Sequence, residues 1–162
     1  MTSCIKITDE GIAALVKGCP NVTSLSASYC SSITDLSIDL LTMHCNHLQA
    51  LNLQWCDEIT NMSLHYIGSR LQRYIEVLNV SCCNKISDLG IVDLLDCVCL
   101  QSLNISMCEG ITDGCLPALT DLCRNGVLTE VDVMWTSISD EGIKSIQKNM
   151  STLRMMHSGV PY

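Results

Sequence analysis

The chain has 162 residues and a formal net charge of −8, with 48% hydrophobic and 16% charged residues. That balance excludes a disordered chain, and the length suffices for one domain with its own core. The 9 basic residues are scattered among 17 acidic ones, and no run of Lys and Arg exists to displace counterions, so nucleic acid and anionic membrane are excluded as natural partners.

A partial unit opens the chain: Cys4, Ile7-Thr8-Asp9, Ile12 and Leu15. The second unit reads Val22, Leu25, Ala27, Cys30, Ile33-Thr34-Asp35, Ile38 and Leu41. The third reads Leu48, Leu51, Leu53, Cys56, Ile59-Thr60-Asn61, Leu64 and Ile67. The fourth reads Ile75, Leu78, Val80, Cys83, Ile86-Ser87-Asp88, Ile91 and Leu94. The fifth reads Leu100, Leu103, Ile105, Cys108, Ile111-Thr112-Asp113, Leu116 and Leu119. The sixth reads Leu128, Val131, Val133, Thr136, Ile138-Ser139-Asp140, Ile143 and Ile146, one residue shorter in the turn and with Thr for Cys. Leu153 and Met156 begin another unit. Unit starts are 26, 27, 25, 28 and 25 residues apart, a period that marks a stacked repeat.

The apolar-x-apolar piece alternates with period two and predicts a short strand with one buried face. Leu25 and Ala27 point inward, and Ser24, Ser26 and Ser28 outward. The Cys and the residues after it turn the chain. Thr34 and its equivalents are placed as helix N-caps, with Asp35 and its equivalents in the first turn, where the helix dipole favours a negative charge. Ile38 and Leu41 follow at helical spacing and face the strands. Each unit is strand, turn, helix and return. The fold class is an α/β solenoid of about six units, a right-handed β-α superhelix with a parallel concave sheet and convex helices. No linker or low-complexity tract interrupts residues 1–162, so they form one domain. Both ends look incomplete, with half a strand before Cys4 and no helix in Ser158-Gly159-Val160-Pro161-Tyr162. Solenoids need polar caps, so the expectation is the C-terminal part of a longer protein.

This pattern resembles the cysteine-containing leucine-rich repeats of F-box/leucine-rich-repeat proteins, over essentially the whole chain. The resemblance implies a protein-interaction scaffold, the substrate-recognition arm of a cullin-RING ubiquitin ligase, whose N-terminal F-box docks the cullin adaptor. No F-box is visible in the chain. The alternative implied by similar arrays is a static scaffold subunit of a cytoskeletal or ciliary regulatory complex, without ubiquitin transfer.

Cys4, Cys30, Cys56, Cys83 and Cys108 share one repeat position. Cys19, Cys45, Cys97 and Cys123 share a second, at the helix end, where Leu71 and Met150 stand in. A position open to Cys, Leu and Met is apolar core, so these read as buried reduced thiols of a chain that is cytoplasmic, nuclear or ciliary and not secreted. Cys82, Cys99 and Cys115 fall off both ladders, and one of them is a candidate for exposure. Cys82-Cys83 and Cys97-x-Cys99 lack zinc-site spacing, and no metal or cofactor is expected. The start of the chain lacks the apolar stretch of a secretory signal, so the Asn-x-Ser/Thr matches at Asn21, Asn61, Asn104 and Asn149 are read as chance. His44, His47 and His65 fall on the convex side and His157 near a strand, in no catalytic motif, and each motif Asp reads as helix-start charge. The chain is therefore expected not to be an enzyme.

Partner binding is expected on the outward strand positions. One column reads Ser24, Ala50, Val77, Ser102 and Glu130. The next reads Ser26, Asn52, Asn79, Asn104 and Asp132. A third reads Ser28, Gln54, Ser81, Ser106 and Met134. The fourth, beside the ladder Cys, reads Tyr29, Trp55, Cys82, Met107 and Trp135 and holds both tryptophans. Aromatic and Met side chains anchor interfaces. Two readings of the fourth column stand open: a binding ridge, or a structural ridge tucked into the turn. Tyr29, Trp55, Met107 and Trp135, with Asn52, Asn79, Asn104, Glu130 and Asp132, are the candidate contacts. Glu130 and Asp132 suit a protein partner carrying Lys or Arg.

Overall fold

The structure, a computed structural model, describes residues 7–125, 128–149 and 154–156. Helices and strands alternate: α1 (Asp9–Gly18), β1 (Ser24–Ser26), α2 (Asp35–His44), β2 (Ala50–Asn52), α3 (Asn61–Arg70), β3 (Val77–Asn79), α4 (Asp88–Val92), β4 (Ser102–Asn104), α5 (Leu116–Asn125), β5 (Glu130–Asp132), α6 (Asp140–Asn149) and β6 (Arg154–Met156). The described strands form one parallel six-stranded sheet in the order β1-β2-β3-β4-β5-β6, each pairing with its sequence neighbour. One helix connects each pair of strands, so every unit buries its apolar face against the next, the solenoid the repeat predicts.

The central strand residues Leu51, Leu78, Leu103 and Val131 are buried, whereas Leu25, on edge strand β1, stays half-buried. Ile33, Ile59, Ile86 and Ile111 close the core from the turns, and Ile38, Leu41, Leu64, Ile67, Ile91, Leu94 and Leu119 from the helices, all buried. Each such side chain contributes on the order of 2 kcal/mol. Two helices depart from the expected pattern. The fifth unit enters its helix through a 3-10 turn, Asp113–Cys115. In the fourth, α4 stops after 5 residues. There the Asp93 carbonyl packs onto Gly68 of α3, where an added Cβ would lie 1.8 Å from the Asp93 oxygen.

The motif Asp does more than charge a helix start. Asp35 accepts from the Thr60 amide and hydroxyl of the next unit, at 2.8 and 2.7 Å, and from the Ser63 amide and hydroxyl at 3.1 and 2.5 Å. Asp9 accepts likewise from Thr34 and Ser37, Asp88 from Thr112, and Asp113 from Ser139. In the one Asn unit, Asn61 accepts from the Ser87 amide and donates Nδ2 to its hydroxyl, both at 2.9 Å. The Thr hydroxyls also cap, as expected: Thr34, Thr60 and Thr112 accept from Leu36, Met62 and Gly114 amides. Thr8 and Ser87 make no side-chain cap bond. At Asp9, burial would raise the carboxyl pKa, but the bonds from Ser37 and Thr34 outweigh it and hold the group low.

Asp35→Ala leaves Thr60 and the fully buried Ser63 without their acceptor, an expected loss of about 2 kcal/mol. Asp35→Asn keeps an acceptor oxygen, as Asn61 does natively, and is expected to lose less than half as much. Urea denaturation of the two variants measures the difference, and undiminished stability of Asp35→Ala would remove the staple as a source of stability.

The first cysteine ladder is buried as expected, with a polar role beyond packing. The thiols of Cys56, Cys83 and Cys108 donate to the carbonyls of Ala27, Leu53 and Val80 in the preceding unit, each at 3.2 Å. Thr136 instead turns its hydroxyl to Val133 of its own unit at 2.8 Å. The second ladder needs correction. Cys45 and Cys97 are buried, but Cys19 is exposed and Cys123 half-buried. Off the ladders, Cys82 and Cys115 are buried and Cys99 is partly exposed. None of the 11 described cysteines forms a disulfide. Cys4, Met150, Leu153, His157 and the segment 158–162 lie outside the described residues.

Candidate protein-interaction surface

Strand length is set by the residue that ends each strand. Asn52, Asn79, Asn104 and Asp132 turn their Oδ1 atoms forward to accept the amide two residues on, that of Gln54, Ser81, Ser106 and Met134, at 2.9–3.0 Å. Such side-chain bonds redirect the chain into a turn. The Asn column therefore bonds mainly forward. Its one link along the column runs from Asn104 Nδ2 to Asp132 Oδ2 at 3.2 Å. The Nδ2 groups of Asn52 and Asn79 make no hydrogen bond among the described residues. The registers Ser24↔Ala50↔Val77↔Ser102↔Glu130 and Ser26↔Asn52↔Asn79↔Asn104↔Asp132 place the first two columns side by side, in line, on the face of the sheet away from the helices.

The third column is less open than its alternation implies. Ser81 is buried, its hydroxyl donating to Asn79 Oδ1 at 2.7 Å. Ser106 makes the same pair of bonds to Asn104 Oδ1 and stays half-buried.

Tyr29, Trp55, Cys82, Met107 and Trp135 all adopt left-handed backbone, with φ between 58° and 64°. Glycine reaches this region freely, whereas other residues meet a cost of about 1–2 kcal/mol. At the first four positions two neighbours impose it. The amides of Tyr29, Trp55, Cys82 and Met107 continue the sheet ladder to the carbonyls of Gln54, Ser81, Ser106 and Met134 at 2.7–3.0 Å. One residue later, Cys30, Cys56, Cys83 and Cys108 must be buried. The chain reverses between these two anchors.

The outcome divides the fourth column. Tyr29, Trp55, Met107 and Trp135 are 47%, 39%, 44% and 62% exposed, whereas Cys82 is buried, with its Sγ 3.5 Å from Met107 Sδ. Tyr29 and Trp55 stack across units, centroids 6.3 Å apart and planes at 14°. Glu130 sits half-buried beside Ser102, whose hydroxyl is 3.5 Å from Glu130 Oε2. The strand and turn segments around this surface hold Asp57, Glu58, Glu76, Glu109, Glu130 and Asp132 against Lys85, which pairs with Glu58 at 2.6 Å, and Arg154, in register with Glu130 on β6. The surface is a polar, acidic strip flanked by exposed aromatics.

One apolar set escapes the sequence reading: Leu36, Met62 and Leu89, all exposed, at the residue after the motif Asp or Asn. The signal was present, since three successive units carry a large apolar side chain at a position that helical spacing turns to solvent. Among the histidines, His65 faces Asp93 at 3.1 Å and His47 packs edge-on to Tyr74. Among the described residues, no three His, Cys, Asp or Glu side chains gather as a metal site would require. No described helix is long and apolar enough to cross a membrane.

A family model described as "Leucine Rich repeat" matches residues 44–64, 72–95, 96–114 and 125–146. Comparison with curated protein sequences gives no match. Among solved structures, the chain is similar to a chain in the crystal structure of the Rad7 and Elc1 complex in yeast, with 19% identity and a TM-score of 0.77 over 94% of this chain and 38% of that one. The chain thus spans well under half the length of that structural relative. A second similarity, to the leiomodin-1 actin-binding site 2, has 15% identity and a TM-score of 0.48 over 94% of this chain and 79% of that one.

Proposed function

The chain belongs to the leucine-rich repeat family, and from that premise we propose that it is the partner-holding arm of a cullin-RING ubiquitin ligase in the cytoplasm, gripping a Lys- or Arg-bearing protein substrate across the outer face of its sheet. The observation that carries this reading is the left-handed ridge. Four units hold a Tyr, Trp or Met in backbone that glycine would occupy at lower cost, and all four side chains stand in solvent. Backbone strain of this kind persists where the surroundings fix it, and it gathers at functional positions. Exposed aromatics on an acidic strip suit basic side chains, which both the ring faces and the charges attract. The resemblance of the repeats to F-box/leucine-rich-repeat proteins supplies the ligase context.

The test is quantitative mass spectrometry of proteins that co-purify with the native full-length protein at its endogenous level. A cullin and its adaptor at stoichiometric amounts are the expected result. Their absence, with cytoskeletal or ciliary proteins dominating, would replace the ligase reading with an architectural one. For the partner so identified, Trp55→Ala and Trp135→Ala are each expected to weaken binding by about 2 kcal/mol, roughly 30-fold, with melting unchanged. Titration calorimetry with the purified partner reads this directly, and undiminished affinity in both variants would remove the ridge from the interface.

A further inference from the structure

Beyond the strand face, the helix starts repeat a second exposed position. The residue after the motif Asp or Asn is Leu36 in α2, Met62 in α3 and Leu89 in α4, with 54%, 47% and 72% of each open to solvent. In the other units the same position holds Glu10, Gly114 and Glu141, so the fold does not require an apolar residue there. The side chains that pack this part of each helix onto the sheet are Ile38, Leu64 and Ile91, two residues further on and buried. Val92, three residues after Leu89 and on the same side of α4, adds another half-exposed apolar group. Three adjacent units thus line up large apolar side chains that gain nothing from the core. Contiguous exposed apolar surface of this kind on a folded domain marks a docking site.

Charge identifies the occupant. The turns and helix starts framing the stripe carry Asp35, Asp39, Asp57, Glu58, Asp88 and Asp93. The cations within reach are already engaged: Lys85 with Glu58 at 2.6 Å, and Arg70 with Asp39 at 2.6 Å. A partner covering the stripe therefore meets a surplus of carboxylates. An acidic segment would be repelled, and one with Lys or Arg beside its apolar residues would be drawn in and held in register.

We propose that Leu36, Met62 and Leu89 form a second docking stripe, on the helix-start side of the array, for an amphipathic segment of another protein that carries Lys or Arg next to its apolar residues. The stripe is independent of the aromatic ridge and of the ligase context. It requires only that the array bind protein.

The probe is a synthetic amphipathic peptide of leucine and lysine, titrated into the full chain. The controls are a leucine-glutamate peptide of the same pattern and a polylysine of equal length. The leucine-lysine peptide is expected to bind at least tenfold more tightly than either control. The combined Leu36→Ser, Met62→Ser and Leu89→Ser variant is expected to lose at least that factor, while Val98→Ser, which removes an exposed apolar group outside both proposed surfaces, binds as the native chain does, which separates this stripe from exposed apolar surface in general. Hydrogen exchange on the native chain needs no variant, and peptide binding is expected to slow exchange around residues 35–37, 61–63 and 88–90. Polylysine binding as tightly as the amphipathic peptide, protection confined to the Trp55 turn, or full affinity in the triple variant would each overturn the proposal. So would sedimentation showing that the native chain self-associates and the triple variant does not, since the stripe would then belong to a second copy.

Discussion

Gly68→Ala is expected to lower the stability of the array by about 3 kcal/mol or more. The added methyl would sit 1.8 Å from the Asp93 carbonyl oxygen and 2.8 Å from its carbon, and both are backbone atoms that no rotamer change can move. Relief requires α3 and the turn after α4 to part. That separation also pulls on the buried neighbours Ile67, Leu71, Ile91 and Leu94. Stability in a stacked array is close to a sum of unit and interface contributions, so damage at one interface uncouples the units on its two sides. Urea denaturation is expected to show both a lower midpoint and a shallower slope. Gly18→Ala is the matched control: nothing lies within 4 Å of the added Cβ, at the last residue of α1, and the expected change is a gain of about 0.5 kcal/mol. Equal behaviour of the two variants would mean that α3 and the Asp93 turn do not touch.

The second large effect is alkaline. Burial pushes the thiols of Cys56 and Cys108 up from 9.0 to about 11, and those of Cys97 and Cys115 to about 12. Cys83 is raised further for the same reason. A raised pKa means that the folded chain keeps protons the unfolded chain has released. The contribution is intact below pH 9 and declines as pH climbs from 9 through the folded values. Each such thiol costs up to about 1.4 kcal/mol per pH unit within that window. Five together remove several kcal/mol per unit, against a total stability of about 5–15 kcal/mol for an ordinary domain. Cooperative unfolding is therefore expected between roughly pH 9.5 and 11. The thiolate ultraviolet band and circular dichroism, followed through one titration, check it. Most of the thiols ionising near pH 9 with the helical signal intact would show that the buried ones are not shielded.

The repeat made the fold readable. Spacing alone fixed where Leu51, Leu78, Leu103 and Val131 enter the core, and period two placed Asn52, Asn79 and Asn104 on one outer column. What escaped is what depends on a neighbouring unit. Asp35 at a helix start has a sufficient local explanation in the helix dipole, so nothing in its own unit signals Thr60 and Ser63 of the next. The left-handed backbone at Trp55 carries no sequence mark, because glycine is the usual sign of that conformation and none of the five positions has it. Cys82 meets Met107 of the next unit, a contact that its own unit does not signal. The close approach of the Asp93 turn to Gly68 is likewise defined only by the packed pair of units. At Cys19, the ladder Cys lies at the end of the first described helix and stays exposed.

The staples made by the motif Asp and Asn all run one way. Asp9 holds Thr34, Asp35 holds Thr60, Asn61 holds Ser87, Asp88 holds Thr112 and Asp113 holds Ser139, and in every case the acceptor belongs to the earlier unit. The array consequently has a grain. A finished unit offers the next one a carboxylate already oriented by its own helix, while the incoming Thr or Ser needs no prior order. Synthesis delivers units in that same sequence, so each newly emerged turn finds its template waiting on the chain already outside the ribosome, and growth from the opposite end would find none.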